Sequence, residues 1–205
     1  MILYEIQREK YKTSRTIITV IVLLVCVSLL TVVACKRIND DNQNDFSSLT
    51  YDGEIAVDVN DGVPEFSEEE IKRAEREVFE EYSKLDNLGR CGPATANICK
   101  ELMPGEYDER TSLGSIYPSG WQSINFWSRC HLVAWQLAGE NDNEENLITG
   151  TSRMNLSGML PQENMIAAYI DENPDNHVLY KVEPIYNGDN LVASGVHMQA
   201  RSVED

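Results

Sequence analysis

Apolar residues form one uninterrupted run near the N-terminus and shorter, periodic patterns further along the chain. The run at residues 16–34 contains no charged side chain and approaches the ~20 apolar residues that a bilayer-spanning helix needs. Basic residues precede this run, whereas an acidic stretch begins at Asp40, and this bias places the N-terminus inside. The pattern predicts a cytoplasmic tail at residues 1–15 and a transmembrane signal anchor at residues 16–35.

The end of the run also fits, loosely, the cleavage site of a bacterial lipoprotein. Val32, Val33 and Ala34 are small or apolar and stand directly before Cys35, which would then carry the lipid. On either interpretation everything after Arg37 lies outside the cytoplasm. We therefore expect a single-pass membrane protein with an extracytoplasmic C-terminal domain, or a secreted or lipid-anchored one if the segment is cleaved.

A helical pattern begins at Ser67, which forms a capping box with Glu70. The apolar side chains that follow repeat every three or four residues and form a single stripe, at Ile71, Ala74, Val78, Tyr82 and Leu85. This spacing predicts one amphipathic helix that extends to about Leu85 and has a structural role.

Beyond Leu88 the pattern changes to short apolar stretches separated by glycine and proline. SRCHLVAWQLAG and ENLITGTSRMN are typical of strands and are joined by a polar loop at residues 140–145, in which Asn141 and Asn143 are predicted to be turn residues. A helix is predicted from Pro161 to Asn173, and HVLYKVEPIY and LVASGVHMQARSV predict an antiparallel hairpin. The order of elements predicts an α+β domain at residues 66–205 with a central antiparallel sheet.

Composition adds an acidic spacer and a strong negative charge. Residues 36–65 are rich in Asn, Asp, Ser and Gly, which predicts a flexible, solvated linker between the membrane segment and the domain. The chain has 17 Lys and Arg against 34 Asp and Glu, a formal net charge of −17. Such a charge argues against tight, specific binding of a polyanion and permits weak, Mg²⁺-dependent binding to a long polymer.

Three cysteines fall within the exported part, at Cys91, Cys99 and Cys130. Disulfides form readily outside the cytoplasm. Because three is an odd number, at least one thiol is expected to stay free, and the sequence does not choose the pair.

The residues with catalytic potential lie in the succession strand, loop, strand, helix. A neutral imidazole at His131 can accept a proton from water near neutral pH. A hard cation such as Mg²⁺, with Mn²⁺ as an alternative, can neutralise charge on a phosphate, and Asn155 offers it an amide oxygen. Glu163 can hold a water molecule of that cation, and Asn146 can orient the loop or such waters.

Two arginines complete the candidate set. Arg129 stands two residues before His131, on the same side of the predicted strand, and can contact a phosphate through two hydrogen bonds. Arg153 is equally compatible with a phosphate contact and with a solvated surface position.

The segment RCHLVAWQLAGENDNEENLITGTSRMNLSGMLPQENM resembles the DNA/RNA non-specific endonucleases, the ββα-metal or His-Me finger nucleases, and in particular their streptococcal cell-surface branch. The resemblance extends to LGRCGPATANICKELMP, SLGSIYPSGW and NHVLYKVEPIYNGDNLVASGV. It implies cleavage of DNA and RNA, a Mg²⁺ cofactor, His131 as general base, Asn155 as metal ligand, Asn146 as a supporting residue and Glu163 as the acidic residue of the metal helix.

The chain also departs from that family's pattern. Ser128 replaces the first residue of the Asp/Asn-Arg-X-His motif, only residues 122–128 separate Ser119-Gly120-Trp121 from Arg129, and the sequence stops at Asp205, before a strand that relatives have. We therefore expect a shortened nuclease domain. The alternative function is an inactive nuclease remnant, or a nucleic-acid-binding domain, displayed on the cell surface.

A second alternative is a papain-like cysteine peptidase. Cys91-Gly92-Pro93-Ala94 is similar to the nucleophile segment of such enzymes, and Cys91, His131 and Asn155 follow the chain order of a Cys-His-Asn triad. This hypothesis requires a lowered thiol pKa at Cys91, and it leaves Glu163 without a role.

Overall fold

The computed structural model describes Phe46 and residues 52–204 of the chain. The predicted tail and the predicted transmembrane anchor at residues 16–35 lie outside this part. Within the described residues, no helix is both long enough and apolar enough to cross a bilayer. By its internal contacts, Ser47–Asp205 forms one compact unit, and the elements below belong to it.

Six strands and three helices make up the described part of this unit. The strands are β1 (Glu80–Tyr82), β2 (Ala94–Ile98), β3 (Trp127–His131), β4 (Leu147–Thr151), β5 (Val178–Ile185) and β6 (Gly195–Ser202). The helices are α1 (Glu68–Ala74), α2 (Trp135–Ala138) and α3 (Leu160–Glu172), with a π-helical turn at Met154–Met159 directly before α3 and 3₁₀ turns at Asn60–Gly62 and Glu144–Asn146.

The strands form an antiparallel sheet and a separate antiparallel ribbon. The four-stranded sheet has the order β1-β2-β5-β6, and β3 pairs with β4 alone. The ribbon is followed by α3, which gives the strand, strand, helix succession of a ββα motif. The prediction of an α+β domain with an antiparallel sheet is therefore confirmed.

The core joins the sheet to the ribbon and its helix. It contains fully buried side chains from both parts, among them Ile98, Tyr180 and Val182 of the sheet and Leu132, Leu137, Ile148, Met159 and Ile170 around the ribbon and α3. The Tyr180 hydroxyl also donates a hydrogen bond of 3.1 Å to the backbone oxygen of Leu132. Because Leu132 follows His131 directly, the sheet fixes the chain at the end of β3.

The first helix is shorter than its apolar stripe predicts. The capping box is present, since the Ser67 hydroxyl accepts from the Glu70 amide and the Glu70 carboxylate accepts from the Ser67 amide. The helix nevertheless ends at Ala74, and Glu80–Tyr82 pairs with Ala94–Ala96 as strand β1. The prediction of a helix to Leu85 was wrong, because the backbone of this segment pairs with β2, and tertiary pairing overrides a local helical pattern.

The later elements follow their predicted order with one insertion. Pro161 lies in the first turn of α3, Asn173 is its C-cap, and β5 and β6 form the predicted hairpin. In SRCHLVAWQLAG, however, only the first part is a strand. The segment after His131 turns into α2, which ends at Ala138. Its C-cap, Gly139, has a φ of 66°, a left-handed conformation that favours glycine.

Part of the predicted spacer contacts the domain. The backbone oxygen of Gly53 lies 3.4 Å from Arg153 Nη2, and the Ile55 side chain lies against Gly158. The Glu65 amide donates to the Gln199 side chain at 2.8 Å. Residues 52–65 thus touch both the π-helical turn and the edge strand β6.

Candidate active site

The register of the β3–β4 ribbon brings the predicted site residues to one end of it. His131 pairs with Leu147, and Arg129 pairs with Thr149. Asn146 immediately precedes Leu147, so it lies beside His131. Alternate residues of a strand share a face, which places Arg129 and His131 on the same side of the ribbon.

The His131 imidazole is buried, with 6% of its surface exposed, and both of its nitrogens have partners. Nε2 lies 2.8 Å from the backbone oxygen of Asn141. Because a carbonyl oxygen only accepts hydrogen bonds, Nε2 carries the hydrogen and Nδ1 carries the lone pair. Arg110 Nη2, 3.1 Å away, donates to that lone pair.

The electrostatic surroundings keep His131 neutral. Burial lowers the pKa of the imidazole, the hydrogen bond to Asn141 opposes this, and the positive charges of Arg110 and Arg129 lower the pKa further. A neutral imidazole whose Nδ1 bears no hydrogen is the form that can accept a proton at neutral pH once that nitrogen is uncovered.

Sequence reasoning missed Arg110 and underestimated Asn141. The Asn141 side chain donates to the backbone oxygen and hydroxyl of Thr111 at 2.9 and 2.8 Å and accepts from Arg110 Nε at 3.3 Å. Asn141 was predicted to be a turn residue only, and Arg110 lies in a polar loop with no recognisable motif. Their contacts join two loops that are distant in sequence, so no local pattern could indicate them.

The Asn146 side chain is completely buried and holds the backbone beyond His131. Its oxygen accepts from the amides of Leu132 and Val133 at 3.1 and 2.8 Å, and its nitrogen donates to the Val133 carbonyl at 3.0 Å. These contacts fit the predicted loop-orienting role. They leave the amide oxygen engaged by backbone donors rather than directed at water molecules around a cation.

Asn155 and Glu163 lie along the same side of one continuous helical segment. Asn155 is in the π-helical turn, where its backbone oxygen accepts from the Leu160 amide. Glu163 is in the first turn of α3 and is 6% exposed. Each lies about one helical turn from the buried Met159, Asn155 before it and Glu163 after it.

The Glu163 carboxyl has an unusual environment. Burial raises its pKa to about 7, and the positive charge of Arg110 opposes this rise. Among the described residues, the structure gives no hydrogen bond or ion pair to the side chains of Glu163 or Asn155. A buried carboxyl without a hydrogen-bonding partner is stabilised by any cation that approaches it.

These two residues fit a metal that keeps most of its water. Within the described part of the chain, no three His, Cys, Asp or Glu side chains cluster as a chelating set. An ion held there would depend on the Asn155 amide oxygen, on water and on substrate oxygens. Mg²⁺ binds in this way, because it loses its water reluctantly and prefers oxygen ligands.

The two predicted phosphate-binding arginines have protein partners. Arg129 Nη1 donates to the backbone oxygens of Ile116 and Gly114 at 2.8 and 3.3 Å. Its guanidinium carbon lies 5.6 and 5.5 Å from the ring centroids of Tyr117 and Trp121. Arg129 therefore anchors the loop at residues 110–121, while Arg153 is exposed and contacts Gly53.

The described cysteines do not support a peptidase site. All three are buried free thiols, so the structure forms no disulfide among them. Cys91 Sγ donates to the backbone oxygens of Leu147 and Glu144 at 3.1 and 3.3 Å, and burial raises its pKa to about 12. A nucleophilic thiol needs a lowered pKa, and the His131 nitrogens are bonded to Asn141 and Arg110, so the hypothesis of a Cys-His-Asn triad was wrong.

Solved structures of nucleases share this fold. NucA from Streptococcus agalactiae with a bound magnesium ion aligns at 24% identity and a TM-score of 0.55, over 62% of this chain and 66% of that one. Sda1 nuclease with a bound zinc ion aligns at 28% identity and a TM-score of 0.55, over 62% of this chain and 69% of that one. The chain thus spans slightly less than two thirds of NucA.

A comparison with curated proteins gives no match. A sequence model described as DNA/RNA non-specific endonuclease matches residues 70–204, which is more than half of the chain and includes the ribbon, α3 and the hairpin. The chain therefore belongs to the DNA/RNA non-specific endonuclease family.

Proposed function

We propose that this protein hydrolyses phosphodiester bonds in DNA and RNA outside the cell, without sequence preference and with a divalent metal. The observation that carries this proposal is the His131 tautomer. Asn141 binds the Nε2 hydrogen, so the lone pair of Nδ1 faces the side on which Arg110 lies. A neutral imidazole oriented in this way is a general base for water.

Arg110 covers the base in the structure described here. For Nδ1 to accept a proton from water, the Arg110 guanidinium has to leave it. A phosphate group is a stronger partner for a guanidinium than a neutral imidazole, because its oxygens are charged and accept two parallel hydrogen bonds. Substrate phosphate would thus draw Arg110 away, free Nδ1 for the attacking water and gain a cationic contact.

Asn155 would hold the metal through its amide oxygen, and the Glu163 carboxylate would orient water around it. When bound, the ion supplies positive charge that stabilises the phosphate during cleavage. NucA is described with magnesium and Sda1 with zinc. For this chain we propose Mg²⁺, with Mn²⁺ as a substitute, because both accept oxygen ligands in octahedral geometry.

The N-terminal pattern of the sequence supports a place outside the cell. Residues 16–35 would anchor the protein in the membrane, and the domain would act on nucleic acids beyond it. A net charge of −17 opposes tight binding to a polyanion. Weak binding suffices for an enzyme that acts on long and abundant polymers.

The test is to incubate the full chain, purified in detergent, with plasmid DNA and with RNA in Mg²⁺, in Mn²⁺ and in EDTA. We expect cleavage of both polymers with either metal and none in EDTA. His131→Ala should lower the rate by at least about 100-fold, since a general base contributes roughly 10²–10⁴. His177→Ala is the control, because His177 pairs with Glu204 away from the ribbon.

Two results would contradict the proposal. Intact nucleic acid under every metal condition, with a folded protein by circular dichroism, would favour a surface-displayed remnant that binds without turnover. A wild-type rate in His131→Ala would exclude the assigned base.

A further inference from the structure

Tyr117 presents a large aromatic surface to solvent beside strand β3. Its side chain is 63% exposed, and its ring centroid lies 5.6 Å from the guanidinium carbon of Arg129. Arg129 and His131 point to the same face of β3, about 7 Å apart along the strand. Tyr117 is therefore near enough to contact a nucleotide that adjoins a phosphate at His131.

The loop that carries Tyr117 is fixed on both sides of the ring. Before it, Arg129 Nη1 binds the Ile116 carbonyl at 2.8 Å. After it, the Trp121 amide donates to the Pro118 carbonyl at 3.1 Å, and the Ser119 hydroxyl donates to the Leu191 carbonyl at 2.7 Å. Because the loop is already held in this way, its backbone loses little conformational entropy when a ligand stacks on the ring.

Gly120 lets this loop turn close to the neighbouring segment. Its φ is +68°, and a Cβ there would come within 2.8 Å of Val192 Cγ2. The left-handed backbone and the close approach both require glycine. The position of Tyr117 is thus set by packing against the rest of the domain.

The same loop begins at the base. Arg110 contacts His131 Nδ1. Thr111 accepts a hydrogen bond from the Asn141 side chain, and the backbone oxygen of Asn141 accepts one from His131 Nε2. Residues 110–121 therefore run from the candidate base to the exposed ring. A strand of nucleic acid that follows this loop would meet His131 and Tyr117 in succession.

Charge favours stacking over phosphate contacts as a source of affinity on this surface. The chain carries a net charge of −17, and Arg129 already uses Nη1 on the loop. Stacking of a base on an aromatic ring needs no counter-charge and is tolerant of sequence. Bases inside a duplex are stacked on each other and paired, so an unpaired base is the one that can reach Tyr117.

We propose that Tyr117, positioned by Arg129, is a stacking platform for an unpaired base next to the scissile phosphate. The platform gives the protein a preference for single-stranded over double-stranded nucleic acid. This inference rests on the proposed nuclease function, since it assigns the substrate class of the same site.

The experiment compares the full chain with Tyr117→Ala and Tyr117→Phe. Binding of a short fluorescent oligothymidylate, and of a duplex of the same length, is measured by anisotropy in EDTA. Tyr117→Ala should weaken single-strand binding by roughly 5- to 150-fold, the range that base–aromatic stacking provides. Tyr117→Phe should restore it, and duplex binding should change less than twofold.

Salt dependence separates stacking from a loss of charge. The slope of the logarithm of the binding constant against the logarithm of salt concentration reports the number of phosphate contacts. Tyr117→Ala should keep the wild-type slope while lowering the binding constant at every salt concentration. Tyr107→Ala is the matched control, because Tyr107 is 89% exposed and lies before Arg110, and it should bind as the wild type does.

Cleavage in Mg²⁺ distinguishes failure of this inference from failure of the proposed function. If the wild type cleaves single strands and Tyr117→Ala has the same KM, the platform is wrong and the nuclease stands. If nothing is cleaved but Tyr117→Ala loses single-strand affinity, the platform stands and the nuclease is wrong. Unchanged affinity together with a change from dimer to monomer in sedimentation would make Tyr117 a contact between copies and overturn the inference.

Discussion

His131 and Glu163 are both buried, and burial acts on their pKa values in opposite directions. It lowers the pKa of the imidazole and raises that of the carboxyl to about 7, because in each case the neutral form is favoured. Near pH 7 the His131 imidazole is therefore neutral and can accept a proton. In the absence of a cation, the Glu163 carboxyl is about half ionised at this pH. A divalent ion near Glu163 would favour its charged form.

The Glu163 pKa predicts a change in stability with pH. An unfolded Glu titrates near pH 4.5 and the folded one near 7, so the folded state binds the extra proton between these values, and stability falls as the pH rises through this window. Glu163→Gln should therefore stabilise the metal-free protein at pH 8.5 by up to about 3 kcal/mol and have little effect at pH 4.5.

Urea unfolding in EDTA at both pH values measures this effect. Glu172→Gln is the control, since Glu172 is exposed at the end of the same helix and its replacement should be neutral. Equal stability of Glu163→Gln and the wild type at the higher pH would show that the carboxyl is solvated rather than buried.

At the scale of elements, the two strands of the ribbon are joined by a side chain as well as by backbone pairing. Asn146 precedes β4 and binds the Val133 amide and carbonyl, which follow β3. The sequence placed Asn146 in the site because of its family resemblance. Its partners became apparent only when the ribbon closed, since they lie 13 residues away along the chain.

Asn146→Ala would leave the buried amide and carbonyl of Val133 without their side-chain partner. We expect a loss of about 2 kcal/mol in the free energy of unfolding and a lower cleavage rate, because the backbone next to His131 loses its support. Chemical denaturation and single-turnover kinetics measure the two effects. Asn143→Ala removes a half-exposed turn contact to the Glu145 amide and a hydrogen bond to the partly exposed Glu140 carboxyl. A similar loss in that variant would contradict a special role for Asn146.

At the scale of the whole molecule, the described domain is held by a buried core without covalent cross-links. Cys91, Cys99 and Cys130 are buried free thiols and belong to or border the apolar core. The odd cysteine count left open which two of the three would pair, and the structure shows that none of them does.

The buried thiols predict slow chemical modification. In the native protein, Ellman's reagent should leave these three thiols unreacted and should modify them once urea unfolds the chain, because the reagent needs solvent access and a thiolate. Cys26→Ser and Cys35→Ser replacements remove the other two cysteines from the assay. Rapid reaction of the folded variant, or a Tm lowered by a reducing agent, would contradict the buried free state.

The sequence alone determined the order of β3, β4, α3 and the hairpin, the bounds of α3 to within one residue, and the family to which the chain belongs. These features depend on local signals, such as Pro161 at a helix start and Asn173 at its end. They also depend on the spacing of motifs, which is visible in the sequence without any knowledge of tertiary contacts. Locally determined features are predictable because their physical causes lie within a few residues.

Tertiary structure alone decided the features that depend on distant partners. The residues after Ala74 leave the helical pattern because β2 offers them a strand partner, and Arg110 reaches His131 from a loop 21 residues away. The His131 tautomer is set by a carbonyl on another loop, and the Glu163 pKa is set by burial under the core. Each of these depends on what the folded chain places in contact, and no local pattern of residues contains that information.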